Sequence, residues 1–123
     1  MPNYSHIPFS IYRQSFGGVG DAGLKRYDIM QGDSSQSGLG VPAKSIAITN
    51  HGPGIIYYQL SSNGVDISVV DGLDSGQAKI FSADEGVYVS VISLYSDNAA
   101  TVFSFIATPG IWTDEELADL FGG

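Results

Sequence analysis

Between residues 45 and 108 the chain is a succession of short apolar runs cut by turn residues, and this pattern leaves few folds open. Residues 45–49 alternate through Ile46 and Ile48. Residues 55–60 follow the turn Asn50-His51-Gly52-Pro53-Gly54. Asn63-Gly64 then separates that run from residues 65–70. This dipeptide between two apolar runs is a strong hairpin signal, because both central turn residues need φ > 0. Residues 77–82, 87–95 and 99–108 complete the series, with Asp71-Gly72, Ser75-Gly76, Glu85-Gly86 and Ser96-Asp97-Asn98 as punctuation. Short strands spaced roughly ten residues apart predict an all-β fold, either an antiparallel β-sandwich or a jelly-roll-like barrel.

The last two runs are apolar on both faces. Val87, Val89 and Val91 oppose Tyr88, Ile92 and Leu94. Thr101, Phe103 and Phe105 oppose Val102 and Ile106. A half-buried strand is polar on one side. Two apolar faces predict central strands covered twice, by an N-terminal arm or by another subunit.

The ends differ from this middle, and the chain divides into residues 1–43, 44–110 and 111–123. The first part is an extended arm with loops. In it Ile7, Phe9 and Ile11 alternate with His6, Pro8 and Ser10, and Pro8 places the strand at a sheet edge. Residues 17–23 read as a flexible glycine-rich segment, residues 24–30 as a short strand, and residues 31–40 as a polar loop. The third part is a short helix. Thr113 and Glu116 form a capping box, and Trp112 can pack on Leu117 as a hydrophobic staple. Asp114, Glu115 and Glu116 suit the positive end of the helix dipole. Leu117, Leu120 and Phe121 share one face, and Gly122 stops the helix. So short a helix is marginal alone, so its apolar face must dock on the sandwich or in a neighbour's groove. The apolar residues of the two ends are the expected interface: Ile7, Phe9, Ile11, Tyr12 and Phe16 in the arm, and Trp112, Leu117, Leu120 and Phe121 in the helix.

Composition narrows the chemistry. The net charge is −8 over 123 residues, with only five lysines and arginines. Nucleic-acid binding needs a basic surface, so it is not expected. There is no cysteine, which excludes disulfides, thiolate catalysis and Cys-ligated zinc. Met1-Pro2-Asn3-Tyr4 has neither the basic nor the apolar region of a secretion signal, and no run is long enough to span a membrane. Gly18-x-Gly20-x-x-Gly23 spells the dinucleotide fingerprint, but no strand precedes it and no long helix follows. As a phosphate loop it also fails, because Leu24 displaces Lys25 and Arg26 stands where Ser or Thr must be. No cofactor is expected.

His6 and His51 sit in no catalytic or metal-ligand pattern. Asp71 and Asp74 flank a turn, with Asp84 and Glu85 in a later one. Calcium favours such carboxylates, although acidic turns also form without metal. No carboxylate pair can be assigned to acid–base work, so no enzyme is expected. Tyr57, Tyr58, Tyr88, Tyr95 and Trp112 remain, either as a sugar-stacking platform or as core and interface residues.

Residues 44–108 resemble the small β-sandwich proteins that decorate or cement tailed-phage capsids. The resemblance lies in Ser45-Ile46-Ala47-Ile48-Thr49-Asn50, the hairpin, Gly72 and Gly76, Phe81-Ser82-Ala83, Val87-Tyr88-Val89-Ser90-Val91 and residues 101–107. It covers about half the chain. It implies a virion protein made in the host cytoplasm, a homo-oligomer with a trimer favoured, and the major capsid protein or other virion proteins as partners. On this reading the arm pairs with a neighbour by strand addition. A neck or tail component belongs to the same class. A carbohydrate-binding module or adhesin is the alternative from a different class.

Overall fold

The computed structural model describes residues 7–19, 23–33, 36–62, 65–66, 71–82 and 88–120. Nine strands and one helix lie in it: β1 (Phe9–Ser15), β2 (Lys25–Asp28), β3 (Ser45–Gly52), β4 (Ile56–Ser62), β5 (Val65–Asp66), β6 (Asp71–Leu73), β7 (Ala78–Ser82), β8 (Val91–Ser96), β9 (Val102–Thr108) and α1 (Asp114–Leu120). One sheet has the order β1-β9-β3-β7 and the other β2-β8-β4-β5, with β6 also on β4. Every pairing is antiparallel.

The pairings β1–β9, β2–β8, β3–β7 and β4–β5 are nested. The chain is in effect one long hairpin, out along β1 to β4 and back along β5 to β9, rolled so that alternate pairs fall in opposite sheets. This is jelly-roll connectivity, the double-sheet solution for an all-β chain. The expected fold class is therefore the observed one. The turn at Asn63-Gly64 and residues 67–70 lie outside the described residues, but β4 and β5 do meet as a hairpin, Ser62 opposite Val65.

Period-two alternation builds the core. Ile46 and Ile48 of β3, Ile56, Tyr58 and Leu60 of β4, Ile92 and Leu94 of β8, and Phe103, Phe105 and Ala107 of β9 are all buried in one cluster. Aromatic rings tie the sheets together. Tyr27 of β2 lies 5.1 Å from Phe105 of β9, and Tyr58 of β4 lies 5.7 Å from Phe81 of β7. β8 and β9 are internal strands of their sheets, but the expected second cover is not seen on β9, where Ile106 is 43% exposed.

Asn50 is a polar residue inside, with no exposed surface, as are Ser96 and Thr101. Its Nδ2 donates to the carbonyls of Gly54 and Leu73 at 2.8 and 2.7 Å, and its Oδ1 accepts the Gly52 N–H at 2.7 Å. One side chain thus ties the end of β3 to the end of β6.

The N-terminal part differs from the expected arm. β1 is the edge strand of the first sheet, hydrogen-bonded to β9 of its own chain, and β2 is the edge of the second. Phe9 and Phe16 are fully and almost fully buried, against Phe105 at 6.0 Å and Phe103 at 4.7 Å. They belong to the core of this chain's own sandwich. Alternation in an edge strand shows that one face is buried, but not whose core it enters.

β1 also carries a bulge. Ile11 faces Phe105 and Gln14 faces Phe103, so Tyr12 and Arg13 share one opposing position. Arg13 takes a left-handed φ of 49° and donates its N–H to Ser104 Oγ at 2.9 Å. A left-handed arginine is uncommon, and bulges re-aim side chains at sheet margins.

The helix docks on its own sandwich. The capping box forms, with Glu116 N–H to Thr113 Oγ1 and Thr113 N–H to Glu116 Oε1 both at 3.1 Å. Trp112 and Leu117 are buried in the core cluster. The Trp112 indole donates to the Pro109 carbonyl at 2.8 Å and tilts against Tyr88 at 5.6 Å. Lys44 latches the segment: it covers the Trp112 ring at 4.6 Å, pairs with Glu116 at 2.8 Å and donates to the Ile111 carbonyl. Phe121 and the side chain of Leu120 lie outside the described residues.

The Lys44 hydrogen bond, with the Thr113 backbone N–H second, holds the Glu116 carboxyl below its ordinary value of 4.5. A lowered carboxyl pKa stabilises the fold above the unfolded-state value, and that contribution is lost as pH falls through the folded value. Acid titration below pH 4.5 is expected to loosen the latch and red-shift Trp112 fluorescence. In Glu116→Gln this step should be missing. An identical acid transition in both proteins would show that Glu116 does not hold the helix.

Candidate interaction surface

The outer face of the first sheet is built by register. Ile80 of β7 faces Ala47 of β3, Ala47 faces Ile106 of β9, and Ile106 faces Ser10 of β1. These four residues form one row across all four strands. The neighbouring row is Ala78, Thr49 and Ser104, ending at the bulge. Ile80 is 65% exposed, Ile106 43% and Tyr12 80%. A depression of about 290 Å³ lies among Ser10, Tyr12, Ala47, Thr49, Ser104 and Ile106. Neither row contains an acid, although the whole chain carries −8.

The expected interface residues separate on this map. Tyr12 lies on the outer face, two residues on from Ser10. Ile7, just before β1, is 77% exposed. Ile11 is half-buried against the core. Phe9, Phe16, Trp112 and Leu117 are interior. Sequence reasoning missed Ile80 as a surface residue. For Ile106 the signal was present, in the second apolar face of residues 101–106. Assembling both into a row requires the strand register.

His51 lies at the end of this face. Its Nε2 is 2.8 Å from Ser104 Oγ, which also accepts the Arg13 N–H. Which of the two donates in the His51–Ser104 bond is set by the imidazole tautomer. A serine–histidine nucleophile needs a third group orienting the base. Among the described residues no carboxylate hydrogen-bonds His51.

The acidic turn is engaged in other bonds. Asp71 accepts the Tyr58 hydroxyl at 3.3 Å and the Gly72 N–H at 2.8 Å. Burial first, and the Asp71 charge second, raise the Tyr58 pKa above its usual 10.0. Among the described residues no group of three or more His, Asp or Glu side chains is placed to hold a metal ion. Asp84 and Glu85 lie outside the described residues.

The aromatic set divides three ways. Tyr58 is interior, Tyr88 and Trp112 belong to the helix latch, and Tyr57 and Tyr95 stack on the outer face of the second sheet. No described helix is long and apolar enough to cross a membrane. No protein-family model, curated protein or solved structure matches the chain.

Proposed function

We propose that this chain is a structural assembly protein of a virus particle, a decoration or cement protein that binds its own copies and the capsid through the outer face of the first sheet. The supporting observation is the acid-free row Ile80–Ala47–Ile106–Ser10 with Tyr12 beside it, on a protein of net charge −8. Copies that repel each other elsewhere can approach here, where desolvating apolar surface contributes about 25 cal/mol per Å². Jelly-roll sandwiches build capsid domains, and also lectin domains, so the fold is compatible with the reading without selecting it. A trimer and a virion location follow from the capsid-decoration resemblance, and a neck or tail position is the variant within the same class.

The location of Phe9 and Phe16 changes the useful experiment. Deleting residues 1–16 would remove two core rings and cannot report on docking. Ile80→Lys with Ile106→Lys alters only the exposed row. The wild-type protein is expected to run as a homo-oligomer in light scattering and to co-sediment with phage heads. The double variant should be a folded monomer that does neither, its stability changed by about 0.5 kcal/mol per site or less. A wild-type monomer that ignores particles, or a double variant that assembles normally, refutes the proposal.

A further inference from the structure

β1 is the outermost strand of its sheet, so one of its sides has no strand beside it. In an antiparallel pair every second residue turns its N–H and C=O away from the partner strand. Such a margin is a template for another chain unless something closes it. On β1 the closing is done by several different groups.

Ser10 is exposed, yet both of its backbone groups are taken by one side chain. Its N–H donates to Gln36 Oε1 at 3.1 Å, and its C=O accepts from Gln36 Nε2 at 2.7 Å. A carboxamide offers an acceptor and a donor side by side, as a facing strand residue does, so Gln36 stands in for a missing strand. Pro8, two residues back in the same phase, has no N–H to offer. Two residues on from Ser10, the bulge at Tyr12 and Arg13 breaks the phase. Beyond it, the Ser15 carbonyl accepts from Gln14 Nε2 at 3.3 Å.

The Gln36 amide is delivered by a fixed support. The Gln36 N–H donates to Asp33 Oδ1 at 3.1 Å, and the Gln36 carbonyl accepts the Asp33 N–H at 3.0 Å. Gly32 and Ser37 bridge behind them. Ile29 and Leu39 have no exposed surface and are joined by the Leu39 N–H to the Ile29 carbonyl at 2.8 Å, which roots the segment in the core.

We propose that Gln36 is a plug. It closes the pairing site that Pro8 and the bulge leave open on the β1 margin, and so keeps β1 of a second copy from adding there. Symmetry sets the occupant that it excludes. An antiparallel β1–β1 pair about a two-fold at Ser10 exchanges Ser10 N–H for Ser10 C=O in both directions, and these are the two groups the plug now holds. The inference concerns a margin of the sheet and is independent of the reading of its outer face.

The test uses the Ile80→Lys/Ile106→Lys chain as background, so that association through the outer face is disabled, and reads sedimentation together with amide exchange. Adding Gln36→Ala should speed exchange of the Ser10 amide by about tenfold, the loss expected for one hydrogen bond. Adding Pro8→Val as well should make the chain self-associate about tenfold or more tightly than with Gln36 in place. The Ser10 amide should then become protected again as concentration rises. Pro8→Val without Gln36→Ala should stay monomeric. A Gln36 that merely supports its loop would speed exchange without any association. A Gln36→Ala/Pro8→Val chain that is folded by circular dichroism and remains monomeric overturns the proposal, as does equal association by Pro8→Val alone. If that chain does not fold, Gln36→Ala alone decides, and an unchanged Ser10 exchange rate overturns the proposal. Failure here leaves the assembly reading untouched, because the outer face is disabled throughout.

Discussion

Phe9→Ala is expected to destabilise the protein by about 3–5 kcal/mol, the range for deleting a fully buried phenyl ring. Phe9 has no exposed surface and packs on Phe105 at 6.0 Å and Tyr27 at 6.3 Å. Those partners come from a strand in each sheet, so the cavity would open between the layers and cannot collapse by one strand shifting. The thermal midpoint should fall by about 10 °C or more. Tyr12→Ser, three residues along the same strand but on the outside, should leave the midpoint nearly unchanged. A Phe9→Ala protein as stable as wild type would show that β1 does not pack in the core and that residues 1–16 are a free arm.

Asn50→Asp should cost about as much by a different route. The substitution is nearly isosteric, yet it replaces two N–H donors by an oxygen facing the Gly54 and Leu73 carbonyls. Each orphaned buried group costs about 1–3 kcal/mol, and a buried unpaired charge costs more. The new carboxyl is therefore pushed to a raised pKa in the folded state. Its penalty is small below the unfolded value of about 3.9 and grows as pH rises through the folded value. The gap between wild type and variant in urea midpoint should be wide at pH 7 and narrow at pH 4. A gap independent of pH would mean that the site admits water.

How much of this was legible in the sequence depends on the distance over which each feature is encoded. The helix start was legible residue by residue, because Thr113 and Glu116 complete each other within one turn. Its latch was not, because Lys44 is 72 residues from Glu116. Strand positions from residue 45 onward followed from alternation. The nested pairing did not, since any apolar face of β1 or β2 satisfies the same pattern whichever strand it joins. β6 was read as a turn, since Asp71-Gly72 has turn chemistry. Pairing with β4 and the Asp71–Tyr58 bond overrode that preference. The outer-face rows are the extreme case. Ile80, Ala47 and Ile106 are ordinary strand residues until three registers line them up.

The bulge at Tyr12 and Arg13 also limits how far an assembly can grow. A straight β1 would offer a free row of N–H and C=O groups, onto which copy after copy could add as a ribbon. Two residues against one interrupt that row, and Lys79 adds a charge to β7 at the other margin. Growth by sheet continuation is impeded in both directions, so contacts fall to the faces. The proposed role as a decoration protein would need that restraint. Such a protein must cover a shell of fixed size and stop, and a chain able to polymerise along its margins would form fibres in the cell before any shell existed to receive it.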